Sequence, residues 1–158
     1  MIRVASLAAK HRVPVTARGL GTGNFGQAVP LAGGVVLDMT GVNRMLWTRP
    51  GAARAEAGIV CKAFDDATRA KGWELRMHPS TKRIATLGGF MSGGHAGIGS
   101  VSYGILRDRG NILGLKLVTI EETPREIEIR GEQLAWVHHA YGVNGIITEV
   151  EMPFTPYA

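Results

Sequence analysis

The stretch Arg18 to Gly26, RGLGTGNFG, constrains this chain more than any other, because Gly19, Gly21, Gly23 and Gly26 fall within eight residues. Glycine adopts positive φ and lets a ligand come close to the main chain, so successive N–H groups of such a loop can converge on one anion. Arg18 adds a positive charge and Thr22 a hydroxyl. Phosphate or pyrophosphate suits these groups, and a Gly-rich surface turn is the plain alternative. Apolar runs flank the loop, Val13 to Ala17 before it and Val35 to Met39 after it. The expected local order is strand, anion loop, short hairpin-like return, strand.

Gly21, Gly23 and Gly26 also fit the spacing GxGxxG, with Asp38 following. A Rossmann fingerprint is rejected all the same. It needs a crossover helix opening at its third glycine, and here Pro30 and Gly33-Gly34 intervene almost at once.

With 158 residues the chain has room for one domain or two tightly joined subdomains. Its 22 glycines are about twice the usual share and sit in loops, which points to close backbone approach at particular sites. The net charge of +5 favours anionic partners. Nucleic acid is not expected, because the basic residues are scattered and aromatics make up only 6% of the chain. Cys61 is the single cysteine, so an intrachain disulfide is excluded, and a reducing cytoplasmic setting fits. It falls in a helical pattern and reads as a buried small apolar residue. No apolar run is long enough to span a membrane as a helix.

Periodicity predicts a helix over Ile2 to His11 and strands at Val35–Met39, Arg44–Thr48 and Ala52–Ala57. A helix over Val60 to Lys71 stops at Gly72, and a brief strand covers Trp73 to Leu75. Gly114–Glu121 and Glu126–Arg130 form a hairpin about Thr123-Pro124. A short helix over Glu132–Ala140 precedes a last strand, Gly145–Met152. Trp47, Trp73 and Trp136 are expected in the core.

A second glycine-rich block, Pro79 to Gly104, is too long for an idle loop inside a compact domain and packed enough to wrap a ligand. Thr86 is placed to cap a short helix whose first N–H groups face a phosphate.

Three separated segments, RGLGTG at 18–23, PST…ATLGG at 79–89 and YGVNGIITEV at 141–150, stand in an order and spacing that resembles the PCMH-type FAD-binding domain of the vanillyl-alcohol oxidase family. The glycolate oxidase and D-lactate dehydrogenase subgroup is the most similar. The resemblance covers almost the whole chain. It implies an α+β fold of two α+β subdomains with FAD extended between them, in a flavin-dependent oxidoreductase that passes a hydride from a small 2-hydroxy acid or related alcohol to flavin N5.

By position, the backbone of Arg18, Gly19, Leu20, Gly21, Thr22, Gly23 and Asn24 would cradle the pyrophosphate. Pro79, Ser80, Thr86, Gly88 and Gly89 would meet the pyrophosphate and ribitol, and Ser92, Gly93 and Gly97 would run near the flavin ring. Ile146 and Ile147 would contact the adenine end, with Gly142 and Gly145 permitting the approach. Members with a covalent tether from the first loop carry histidine about where Thr22 stands, so FAD is expected to be held noncovalently. His139 to Asn144 departs from the GSEGTL-like run usual there. The resemblance also implies that an opening strand and a substrate cap lie outside this chain, and the edge so exposed would favour a homo-oligomer or a partner subunit.

His95 is the candidate base beside the flavin, against the alternative of a loop histidine that merely hydrogen-bonds. Tyr103 is the aromatic expected nearest the cofactor. No metal site is expected, because adjacent His138 and His139 on a helix point about 100° apart. Arg107-Asp108-Arg109 reads as ion pairing that fixes the loop. The alternative to an enzyme is a noncatalytic FAD- or nucleotide-binding module that depends on a partner for its substrate site.

Overall fold

The computed structural model describes residues 1–157. Helix α1 (Ile2–Lys10) buries Ala5 and Ala8 and leads into β1 (Val15–Arg18), which pairs with β2 (Val35–Asp38). The pairing is parallel, from Val15 opposite Val35 to Arg18 opposite Asp38. This corrects the expected hairpin-like return: segment 19–34 crosses over as an irregular loop, without a helix, so that both strands run the same way. The rejection of a crossover helix stands, while the strand direction does not.

The second sheet has the order β3 (Met45–Arg49), β4 (Ala52–Glu56), β8 (Ile146–Pro156), β6 (Gly114–Val118), β7 (Glu126–Ile129). Strand β5 (Trp73–Leu75) joins the far end of β8. Period-two alternation divides this sheet into two faces. Ala53, Ala55, Leu115, Leu117, Ile129, Val150 and Met152 are buried in the core with Phe64 of α2 (Cys61–Arg69) and Leu87 and Met91 of α3 (Leu87–Gly93). Phe64 and Phe154 pack edge to face, with ring centroids 5.3 Å apart.

The opposite face carries charges in register. Arg54 reaches Glu149 at 2.7 Å and Glu128 at 3.1 Å, while Glu151 is contacted by Arg49 at 3.2 Å and Arg130 at 2.5 Å. The bonds from Arg54 and Arg130 hold the Glu128 carboxyl below its usual range.

Cys61 is fully buried, as read from the sequence, and burial pushes its thiol up to about 12. Helix α2 ends before Gly72, whose φ is +80°. Two expectations need correction. Trp136 is 63% exposed, because the predicted helix 132–140 is a 3₁₀ turn over Gly131–Trp136 that does not lay the indole on the sheet. The last strand runs on to Pro156, because β5 zips onto its end from Leu75 opposite Phe154 to Trp73 opposite Pro156. A further short helix, α4 (Ser100–Tyr103), lies within the second glycine-rich block.

Asp65 on α2 is the buried joint between that helix and its surroundings, with a side chain 1% exposed. It accepts the Leu75 amide at 2.7 Å and Arg69 Nε at 2.7 Å, and Lys82 closes on the same carboxylate. Burial alone would raise its pKa, but the Leu75 amide, Lys82 and Arg69 together hold it below the ordinary carboxylate value. A depressed folded-state pKa stabilises the fold above the unfolded value, and that stability is lost as pH falls through the folded one. Asp65→Asn is therefore expected to cost about 3 kcal/mol in urea unfolding near neutral pH. The gap to wild type should narrow toward about pH 3, and a gap that stayed constant would show that the carboxylate charge is not what matters.

Candidate functional site

A cavity of about 320 Å³ opens between the loop after β1, the segment 79–81, α3 and the approach to β8. That volume is in the range of small-molecule sites. Of the residues singled out from the sequence, Arg18 to Asn24, Pro79, Ser80, Thr86, Gly88, Gly89, Ser92, Gly93, Gly142, Gly145 and Ile147 all line it.

Gly97 and Ile146 do not. Gly97 faces the His78 carbonyl, which a Cβ would meet at 2.2 Å, and so serves the backbone bridge between His78 and Ile98. Ile146 pairs with Val118 at the start of β8, and alternation turns it away from the side that Ile147 presents.

The loop supplies the donors. Among the described residues, no protein acceptor meets the amides of Gly19 through Asn24. Six consecutive N–H groups on a cavity wall are thus left without a protein acceptor, and such donors must find water or a ligand. Gly21, at φ +69°, makes the turn, and the Arg18 guanidinium folds over it, 3.0 Å from where a Cβ would stand. Asp38, opposite Arg18 in the ladder, has its pKa lowered by bonds from Thr40 and, to a smaller extent, by Arg18.

Helix α3 behaves differently from its sequence expectation. Thr86 is its N-cap as read, accepting the Gly89 amide at 3.3 Å. Leu87 N–H, however, donates to Ile59 O at 2.8 Å and Gly88 N–H to Ala57 O at 2.7 Å. Its first-turn donors are spent on anchoring the helix to the chain after β4 and are not turned toward a phosphate. Gly88 is required by that anchorage, since a Cβ there would lie 2.6 Å from the Ala57 Cβ.

His95 is not among the lining residues. Its ring lies 5.6 Å from that of His139, edge to face. Tyr103 is also off the cavity, under Arg76 at 5.5 Å. Tyr141, Phe90 and Phe25 are the aromatics that line it. Sequence reasoning missed Tyr141 and Gln27; the signal for Tyr141 was its place directly before Gly142 in the last motif. Arg109 pairs with the exposed Glu132 at 2.9 Å, and Asp108 accepts the Ile105 amide, so a backbone bond rather than the expected ion pairing holds Asp108 in the loop. Among the described residues, no three His, Cys, Asp or Glu side chains are grouped to hold a metal, and no helix is long and apolar enough to cross a membrane.

Fold and cavity together define an α+β domain with an amide-lined cleft. The chain belongs to the FAD binding domain family, whose pattern matches residues 1–127, and FAD is the cofactor this membership assigns. It is 30% identical over 118 residues to the glycolate oxidase subunit GlcD of Bacillus subtilis (strain 168), covering 73% of this chain and 25% of that protein. It is 35% identical over 123 residues to D-2-hydroxyglutarate dehydrogenase of Escherichia coli (strain K12), covering 74% and 12% respectively. Among solved structures, an alkyldihydroxyacetonephosphate synthase superposes with a TM-score of 0.83 at 25% identity, over 98% of this chain and 29% of that one. The chain thus spans a minor part of the length of each.

Proposed function

We propose that this chain is the FAD-holding part of a flavin-dependent oxidoreductase acting on a small 2-hydroxy acid or related alcohol. The unpartnered amides of Gly19 to Asn24 carry the reading, because they are the donor set a pyrophosphate needs. They bind the two phosphates, with the Arg18 charge and the Thr22 hydroxyl beside them. Thr86, Gly88, Gly89, Pro79 and Ser80 line the path of the ribitol. Ser92 and Gly93 stand against the flavin ring, and Ile147 closes the adenine end, where Gly142 and Gly145 leave room.

Bound FAD supplies a hydride acceptor at N5. The protein's part is to fix that cofactor and to exclude water with Phe90, Met39 and Ile147 on the cavity wall. No histidine or cysteine lines the cavity, which supports noncovalent attachment. The substrate class rests on the hydroxy acids in the names of the two enzymes above. The cytoplasm is the proposed setting, on the strength of the lone, buried Cys61. A cofactor-holding module that takes its substrate site from elsewhere is the second reading, favoured by the greater length of those relatives.

An absorption spectrum taken after adding FAD and desalting tests the cofactor part: flavin bands should stay with the protein and be released by acid precipitation. Anaerobic bleaching by glycolate or D-2-hydroxyglutarate then separates the oxidoreductase from the module, which stays yellow. Absence of retained flavin would overturn both readings.

A further inference from the structure

Among the described residues, two of the three non-glycine residues with positive φ flank Ala140, namely His139 at +57° and Tyr141 at +53°. Strain of this kind persists only where its surroundings enforce it. Here the enforcing contacts are clear. His139 N–H donates to Met91 O at 3.1 Å and Tyr141 N–H to Ser92 O at 2.9 Å, while the rings of His138 and His139 each place a nitrogen 3.0 Å from Gly94 O. The segment thereby satisfies the carbonyls at the end of α3, which a helix leaves without partners.

This arrangement fixes the protons. A carbonyl only accepts, so His139 must carry hydrogen on Nδ1, and in the neutral ring Nε2 is then an acceptor. Tyr141 O–H, 3.2 Å from that Nε2, is the donor to it. The tyrosine hydrogen is engaged by His139, and the lone pairs of its oxygen remain for another donor. The ring lines the cavity beside Gly93, where a Cβ would lie 3.6 Å from Tyr141 Cε1.

We propose that Tyr141 accepts a hydrogen bond from an N–H or O–H group of the bound cofactor, and that His139 is the positioning residue that holds the hydroxyl in this acceptor role. The inference rests on the FAD reading. FAD offers such donors on both halves: the flavin imide and ribityl hydroxyls on one, the ribose hydroxyls and adenine amino group on the other.

The groups facing His139 are Tyr141, with ring centroids 4.9 Å apart, His95 at 5.6 Å and His138 at 5.9 Å. Burial keeps His138 below its ordinary pKa, with the neighbouring His139, His95 and Arg107 acting the same way.

Calorimetric titration of the 158-residue chain with FAD tests this. Tyr141→Phe should bind about 5-fold to 10-fold more weakly, the loss of one hydrogen bond. His139→Asn should weaken binding in the wild-type background and leave it unchanged in the Tyr141→Phe background, which a merely structural role would not give. Asparagine tolerates the left-handed backbone at 139. The double variant should be no weaker than the weaker single one, as for residues acting as a unit. The same Tyr141→Phe penalty with FMN places the donor on the flavin half, and with ADP on the adenosine half; either supports the proposal. Equal affinity in wild type and Tyr141→Phe would overturn it and leave the cofactor reading intact. No FAD binding by wild type would remove that reading and this inference with it.

Discussion

Gly19→Ala is expected to weaken FAD binding by about 100-fold, because two or more amide bonds to a charged phosphate are displaced at about 1.5–3 kcal/mol each. Gly19 is pressed onto the cap of α3: a Cβ there would stand 2.1 Å from Thr86 Oγ1 and 2.9 Å from its Cγ2. Either the loop lifts, and its free amides lose their common focus, or Thr86 turns and releases the Gly89 amide. The second escape costs about 1 kcal/mol of cap energy and should appear as a small loss of stability. Adding Thr86→Ala to Gly19→Ala removes both obstructing atoms, so the double variant should recover part of the affinity. Fluorescence titration of FAD measures each step. A Gly19→Ala chain that bound FAD as wild type does would mean that the cradle lies elsewhere.

Glu151→Ala is expected to destabilise the fold by about 3–5 kcal/mol, the range for removing one member of a buried ion cluster. The Glu151 side chain is 1% exposed and stands between Arg49, Arg130 and Arg54, the last at 3.7 Å. Its loss leaves Arg54, itself only 10% exposed, without a carboxylate on that side. Glu151→Gln keeps the shape and two polar atoms, and should cost less. Urea unfolding near neutral pH reads both as shifts in midpoint with little change in slope. If Glu151→Ala left the midpoint unmoved, the charged face would be ordinary solvated surface.

That face shows where reading the sequence reached its limit. The alternation of β7 and β8 was plain, and Ile129 and Val150 of those strands lie in the core. What alternation does not give is which strands lie side by side. Arg54 meets Glu149 and Glu128 only because β8 sits between β4 and β6, an order set by pairing over long sequence separations. The direction of β2 was missed for a similar reason, since a loop as long as 19–34 can return the chain either way. The last strand was read as ending at Met152, and the prolines at 153 and 156 give no ladder donor. Pairing with β4 and β5 holds those residues in extended form regardless.

The candidate site was more readable than the fold around it, because its message is carried by glycine. The positive φ at Gly21, Gly142 and Gly145 and the tight contacts of Gly19 and Gly88 are requirements a side chain would violate, so the residue type itself marks the place. Side-chain positions gave weaker signals. Tyr103 and Tyr141 each precede a glycine, and only the place of Tyr141 in the last motif marks it as the one that turns to the cavity while Tyr103 lies under Arg76.

The central place of β8 bears on the order in which the sheet can close. β4 and β6 lie on either side of it, yet it follows both in the sequence. Until it inserts, the second sheet is two separate hairpins with unpaired inner edges, a state prone to mispairing. The same insertion brings Gly145 and Ile147 to the cavity. The glycine loop therefore exists before the pocket is complete, and FAD present during refolding should act by trapping the inserted strand.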